Sequence, residues 1–237
     1  MGALLFDHVI HIAVILIATF ALRARESNMQ RKVPEPEKQC LILQMSNKDN
    51  SVALDAVRQW NVGGRFSLHG AYLRRANLRR ANLQEADLSD ANLQRADLSS
   101  AALQGASLWA THLWRANLQG ANLEWSNLQG ADLGEADLQG THMSNANLQR
   151  AYLGNAALQA ADLGDANLQG AYLYGADLQG AYLGGANLQD ASVYGAIFDE
   201  TTVLPDGTNW TPATDMGAFH AHCGKRAPLT DADNRRR

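Results

Sequence analysis

Histidine, cysteine and carboxylate side chains could hold a metal or move a proton, and in this 237-residue chain they are thinly placed. The tightest group is His220-Ala221-His222-Cys223. A closed zinc site needs four such ligands, and an open one needs three held rigidly. This group lacks a fourth ligand and lies in a polar tail, so no metal is expected there. His112 and His142 stand alone, thirty residues apart. Cys40 and Cys223 form no CxxC pair and no disulfide framework, which weakly favours a reducing compartment. No glycine-rich loop leaves a strand to open a helix, so no phosphate cradle is expected. The residues point to no catalytic group and no cofactor. With 20 basic against 24 acidic residues, the formal net charge is −4. A nucleic-acid binder would be basic, so direct binding of nucleic acid is not expected.

What must be positioned is therefore a surface, and the element that positions it is a repeat. Let each unit run i−2, i−1, i, i+1, i+2. Position i is Leu at 68, 73, 78 and every fifth residue through 138; Met143 interrupts once, Leu returns from 148 through 188, and Val193 and Phe198 close the series. Position i−2 is Ala from Ala71 to Ala196 except at Thr111, Ser126 and Thr141, and i−1 is mostly Asn or Asp. A period of five fits neither the 3.6 of a helix nor the 2 of a strand. Each unit must be a short extended piece plus a corner. Positions i and i−2 then point inward together, i−1 points outward, and i+1 with i+2 make the turn.

Units such as ANLQG, ADLQG and AYLGG resemble the A(D/N)LXX pattern of the pentapeptide-repeat family, over more than half the chain. The closing segment FDETTVLPDGTNW resembles the end of many members. The resemblance implies an all-β solenoid, a right-handed quadrilateral β-helix with four repeats per coil, here roughly seven coils at about 4.8 Å spacing. One buried Leu contributes roughly 1.5–3 kcal/mol, while ordering five residues costs roughly 5–10 kcal/mol of backbone entropy. No repeat holds itself, so stability must be collective. The ends of the stack need caps against edge pairing, and end-to-end pairing of two copies is the self-association such ends would permit.

Four repeats per coil would stack residues twenty apart. The face of Leu73, Leu93, Leu113, Leu133, Leu153, Leu173 and Val193 then carries Tyr72, Arg74, Arg75, Arg95, His112, Trp114, Arg115, Tyr152, Tyr172, Tyr174 and Tyr194 outward. Tyr182 is expected on the next face, and Trp109 and Trp125 on the two flanking faces in about the coil of Trp114. Aromatic and Arg side chains are what interfaces use, so this face, with Trp109 included, is the candidate interaction face. Tyr replacing Asn at a tolerant ladder position is the structural alternative, and base or sugar stacking a third. Gln119, Gln139, Gln159 and Gln179 should stack on one face and Gln129, Gln149, Gln169 and Gln189 on the opposite one, as amide ladders. Gly134, Gly154, Gly164 and Gly184 alternate with them.

The flanks divide as residues 1–22, 23–48, 49–65, 199–210 and 211–237 around the repeats at 66–198. Gly2–Leu22 is apolar enough to span a bilayer if Asp7, His8 and His11 are tolerated. No basic residue precedes it, and Arg23 and Arg25 follow. That favours a single-pass anchor in the inner membrane of a bacterial cell over a signal peptide, with the repeat domain cytoplasmic. Residues 23–48 read as a linker with Pro34 and Pro36. Asp49–Trp60 reads as an amphipathic capping helix, 199–210 as the C-terminal cap and 211–237 as a disordered tail.

Two function classes follow. The first is a non-enzymatic, membrane-tethered scaffold that binds an unidentified protein partner. The second comes from the resemblance: some family members are acidic rods that bind DNA gyrase in place of DNA and protect it from quinolones. From Ala81 to Glu200 there are fourteen acidic residues against Arg95, Arg115 and Arg150 alone. Those acids are spread over all four faces, and Arg74, Arg75, Arg79 and Arg80 make one end basic, which favours the first class.

Overall fold

A computed structural model describes residues 35–45, 50–60 and 67–216. From Pro36 onward they belong to one compact unit, Pro36–Arg237. Two helices lead in, α1 (Glu35–Met45) and α2 (Asn50–Trp60). Helix α1 corrects the expectation of a linker over 23–48. Pro36 lies in its first turn, where a missing N–H costs nothing, and Leu, Gln and Met continue it. Helix α2 falls within a residue of expectation and buries Ala53, Ala56 and Val57. The expected anchor, Asp49 at the start of the expected capping helix, and the tail beyond 216 lie outside the described residues. Among the described residues no helix is long and apolar enough to cross a membrane.

From residue 67 the chain is a parallel β-solenoid. Each i−1 residue bridges the one twenty positions on, from Ser67 with Asp87 to Asp177 with Ile197. Both backbone groups work across coils: Leu93 N–H donates to His112 C=O at 2.8 Å, and Asn92 N–H to Ala71 C=O at 2.9 Å. Within a repeat the N–H of the next unit's first residue returns to the leucine carbonyl, as Ala96 to Leu93 at 3.0 Å, closing a four-residue turn. The third residue of each such turn has positive φ, as in a type II turn. This holds at Gly70, Arg75, Arg80 and every fifth position through Gly195. Four corners per twenty residues make the coil four-sided.

The interior is the leucine column and the alanine column, buried from Leu68 through Ala191. Three exceptions in the alanine column settle their hydroxyls on main-chain carbonyls. Thr111 Oγ1 donates to Leu88 at 2.8 Å, Ser126 Oγ to Leu123 at 2.6 Å and Thr141 Oγ1 to Leu138 at 2.8 Å. A buried hydroxyl so bonded avoids the desolvation cost of an unpaired one.

Leu68, Leu73, Leu78 and Leu83 are buried although no coil precedes them, and so are Leu41 and Met45 of α1. The first coil and α1 thus both bury apolar side chains. At the other end the register lengthens by one residue, from Asp177–Ile197 to Tyr182–Val203. Asp199 organises the change. Its Oδ1 accepts from Thr201 Oγ1 at 2.6 Å, Thr201 N–H at 3.0 Å and Gly180 N–H at 3.1 Å. The Thr201 hydroxyl first, then the backbone donors, hold its carboxyl below the ordinary range. Val203 then pairs antiparallel with Asn209, and Phe198 stacks on Trp210 at 6.1 Å.

Candidate functional site

The outward positions are fixed by the corner. An Asn or Asp at i−1 accepts, through Oδ1, the N–H of its own repeat's i+1 residue. Asn117 accepts from Gln119 at 3.0 Å, Asp137 from Gln139 at 3.1 Å, and Asn187 from Gln189 at 3.0 Å. The side chain thus mimics a backbone turn and holds the corner. Sequence reading placed this column outward and missed its task, although the Asn/Asp preference two residues before a turn residue was the available signal.

The faces differ in how far they keep this cap. On the Leu68 face Ser67, Asp87, Asn127, Asn147, Asn167 and Asn187 all bond their i+1 N–H. On the Leu73 face the i−1 ladder runs Tyr72, Asn92, His112, Asp132, Tyr152, Tyr172 and Ser192. There only Asn92 and Asp132 supply the cap, to Gln94 at 3.2 Å and Gly134 at 3.1 Å. This face has exchanged turn caps for aromatic rings.

The middle of the Leu73 face carries an organised cluster. Trp114 lies beneath two guanidinium groups, with Arg95 Cζ at 5.1 Å and Arg115 Cζ at 4.2 Å from its ring centre. Arg115 also pairs with Glu135, both its Nε and Nη2 lying 2.6 Å from Oε2. Stacked cations over an indole contribute about 0.5–1 kcal/mol each when exposed, and they fix the orientation of all four side chains. Farther along, Tyr174 and Tyr194 stack at 5.7 Å with their planes 11° apart. Tyr152 lies flat on the main chain: a Cβ built on Gly134 would sit 2.8 Å from its ring, and one on Gly154 2.6 Å from its hydroxyl. The alternating glycines are the floor beneath tyrosine rings, since Gly164 and Gly184 stand in the same relation to Tyr182. Asp132 is half-buried beside Tyr152 in this ladder. Burial raises its carboxyl above the ordinary range, against the opposing effects of the Gly134 N–H and His112.

The register therefore brings Tyr72, Arg74, Arg75, Arg95, His112, Trp114, Arg115, Tyr152, Tyr172, Tyr174 and Tyr194 onto one face, as expected. It corrects two placements. Tyr182 extends the ladder Asn122–His142–Asp162, two repeats from the Leu73 face and so on the opposite side. Trp125 stands at the corner leaving that opposite face, and Trp109 on the Leu68 face between the two. The tryptophans thus do not gather round Trp114, because Trp125 belongs to the repeat of Leu123, two repeats on from that of Leu113. The glutamine ladders are partly realised: Gln149 donates to Gln169 at 3.2 Å, whereas Gln159 turns to Asp177 at 2.6 Å. Among the described residues no three His, Cys, Asp or Glu side chains group as metal ligands would. The group His220–Cys223 lies outside them.

A family model for pentapeptide repeats matches in eight copies, over residues 67–101, 96–134, 126–165 and 166–202. Among solved structures, the chain is similar to a pentapeptide repeat protein, Rfr23, from the cyanobacterium Cyanothece 51142. Identity is 36%, over 47% of this chain and 66% of that one, with a TM-score of 0.24. It is similar to a pentapeptide repeat protein of the Arabidopsis thaliana thylakoid lumen at 30% identity, over 48% and 69%, with a TM-score of 0.28. It is also similar to HetL from Nostoc sp. strain PCC 7120, described as involved in heterocyst differentiation regulation. Identity there is 30%, over 62% and 90%, with a TM-score of 0.17. No curated protein matches.

Proposed function

This chain belongs to the pentapeptide-repeat family, and on that premise we propose that it is a non-enzymatic scaffold whose Leu73 face binds a protein partner. The observation that carries the reading is the exchange of caps for rings. A capped corner gains a hydrogen bond whose net contribution is about 0.5–1.5 kcal/mol. On the Leu73 face that bond is given up at Tyr72, His112, Tyr152 and Tyr172, while the Leu68 face keeps it at every position but Ser107. A column under structural demand alone would be filled alike on both faces. The exposed rings of Tyr72, Tyr172, Tyr174 and Tyr194, and the clamped Trp114, make a surface of the composition that binding hot spots use.

The reading includes a tether. The apolar stretch Gly2–Leu22, followed by Arg23 and Arg25, supports a single membrane anchor with the repeats on the cytoplasmic side. Retention in the pellet after a carbonate wash is the expected result, and full release would refute it. For the face, a pull-down from solubilised membranes with wild type and with a Trp114→Ser, Tyr172→Ser double variant is decisive. Loss of the captured protein with an unchanged unfolding midpoint is expected. Equal capture by both would remove the contact reading.

A further inference from the structure

Two consecutive repeats, AYLRR and ANLRR at residues 71–80, contain four arginines and no acid. Arg74 and Arg79 stand at i+1, and Arg75 and Arg80 at the corners with φ of 60° and 59°. All four side chains are exposed, and Tyr72 beside them is 63% exposed. The corners throw these guanidinium groups outward along two adjacent sides of the first coil. One coil on, the column above Arg75 continues as Arg95, which is engaged with Trp114, and the ladder above Asn77 continues as Asp97. His69 and Asp90, 3.9 Å apart, lie on the preceding side. The column of Arg75, Arg95 and Arg115 ends in an acid, Glu135, and acids stand beside it from Glu85, Asp87 and Asp90 onward. Clustered arginine is thus confined to the first coil.

We propose that this first-coil arginine patch docks on an anionic lipid surface. It rests on the tether reading for its choice of occupant. A nucleic-acid backbone laid along the stack would need cations to continue coil after coil, and here they give way to carboxylates. A planar surface met at the entry end needs them only in the first coil. That end is also the one nearest in sequence to Gly2–Leu22, Arg23 and Arg25. Arg beside an exposed Tyr is the pairing found where chains meet headgroups. Each basic group near an anionic leaflet strengthens attraction, and the effect falls off within a Debye length, roughly 10 Å at 0.1 M salt.

The test reconstitutes the full chain in phosphatidylcholine vesicles with and without phosphatidylglycerol. Exposed arginines are then modified with phenylglyoxal, and each site is read by mass spectrometry. Labelling at Arg74, Arg75, Arg79 and Arg80 should fall at least threefold in the anionic vesicles, recover in high salt and stay constant at Arg150. Equal labelling in both vesicles would overturn the proposal. So would protection by duplex DNA in place of lipid. A chain released by carbonate would refute the anchor alone, because the comparison between neutral and anionic vesicles still reads the patch. A variant with all four arginines replaced by Gln should lose the anionic increment in flotation while keeping its binding to neutral vesicles; retention of that increment would also count against the patch.

Discussion

Gly134 and Gly154 test whether the alternating glycines serve the tyrosines. Neither has positive φ, so Ala fits the backbone at both. By itself the change should stabilise by about 0.4–1 kcal/mol, through a less flexible unfolded chain. In this protein the new methyl would meet the Tyr152 ring at 2.8 Å from Gly134, or its hydroxyl at 2.6 Å from Gly154. Those approaches are closer than carbon contacts allow, and the ring must lift. A tyrosine buries about 150–250 Å² when enclosed. If roughly half of that is lost, about 75–125 Å² at 25 cal/mol per Å² gives about 2–3 kcal/mol as an upper bound. The net expectation for Gly154→Ala is a loss of about 1–2 kcal/mol. In a Tyr152→Asn background the same change should gain about 0.4–1 kcal/mol. Equilibrium urea unfolding of the four proteins gives the coupling directly. A coupling below about 0.3 kcal/mol, within the additivity of independent sites, would refute the floor and leave the glycines unexplained.

Ala160 holds a corner at φ 54°. Ala160→Gly should stabilise by about 1 kcal/mol, because only Gly adopts this region without strain. Gly185→Ala should do the reverse, since its φ is +72° and its methyl would press on the Asp165 carboxylate; urea midpoints read both. Asp132→Asn keeps an oxygen for the Gly134 N–H but cannot ionise. The folded-state pKa of Asp132 is raised by burial, so the wild-type charge opposes folding above that pKa and not below its unfolded value. The variant should therefore be the more stable at neutral pH, and the difference should shrink as pH falls through the raised pKa and vanish below the unfolded value. Arg115→Gln removes the nearer cation from Trp114 and the Glu135 pair. A changed Trp114 emission and a loss of about 0.5–1 kcal/mol are expected. Added to a gyrase supercoiling reaction, the protein should leave the rate unchanged; inhibition would restore the DNA-mimic reading.

The interior was legible because one side chain in five repeats without an insertion. Leu at i and Ala at i−2 can point inward together only on a short extended piece, and the bridges from Ser67 to Ile197 realise that register. The candidate face was legible for the same reason, since stacking follows from the register alone. Three things were not. The cap made by i−1 depends on a hydrogen bond within one repeat, which periodicity does not report. The lie of Tyr152 and Tyr182 over glycines depends on a ring crossing from one coil to its neighbour. Helix α1 was hidden by Pro34 and Pro36, which read as linker signals although a proline in the first turn is compatible with a helix.

These missed features bear on how such a surface can change. Positions i and i−2 are committed to the core, and i+2 must accept positive φ, which strains every residue but Gly and β-branched residues most. The residues found there agree: Arg, Glu, Asp, Asn, Ser, Ala, Trp and Gly, with no Val, Ile or Thr. Position i+1 is free unless a ring lies over it. Position i−1 is free only at the expense of a turn cap. An aromatic at i−1 therefore loses the cap, and where its ring lies over the main chain, as at Tyr152 and Tyr182, it also requires glycine nearby. A tyrosine that drifted into this column without a use would lower stability and constrain two further positions. Arginine at i+1 and i+2 carries neither consequence, which is why the arginines of residues 74–80 could accumulate at the entry end without altering a single cap on Asn77, whose Oδ1 still accepts the Arg79 N–H at 3.5 Å. The two features differ in physical kind: the aromatic face gives up turn caps, whereas the arginine patch keeps the Asn77 cap and carries only the corner strain that any non-glycine i+2 residue carries.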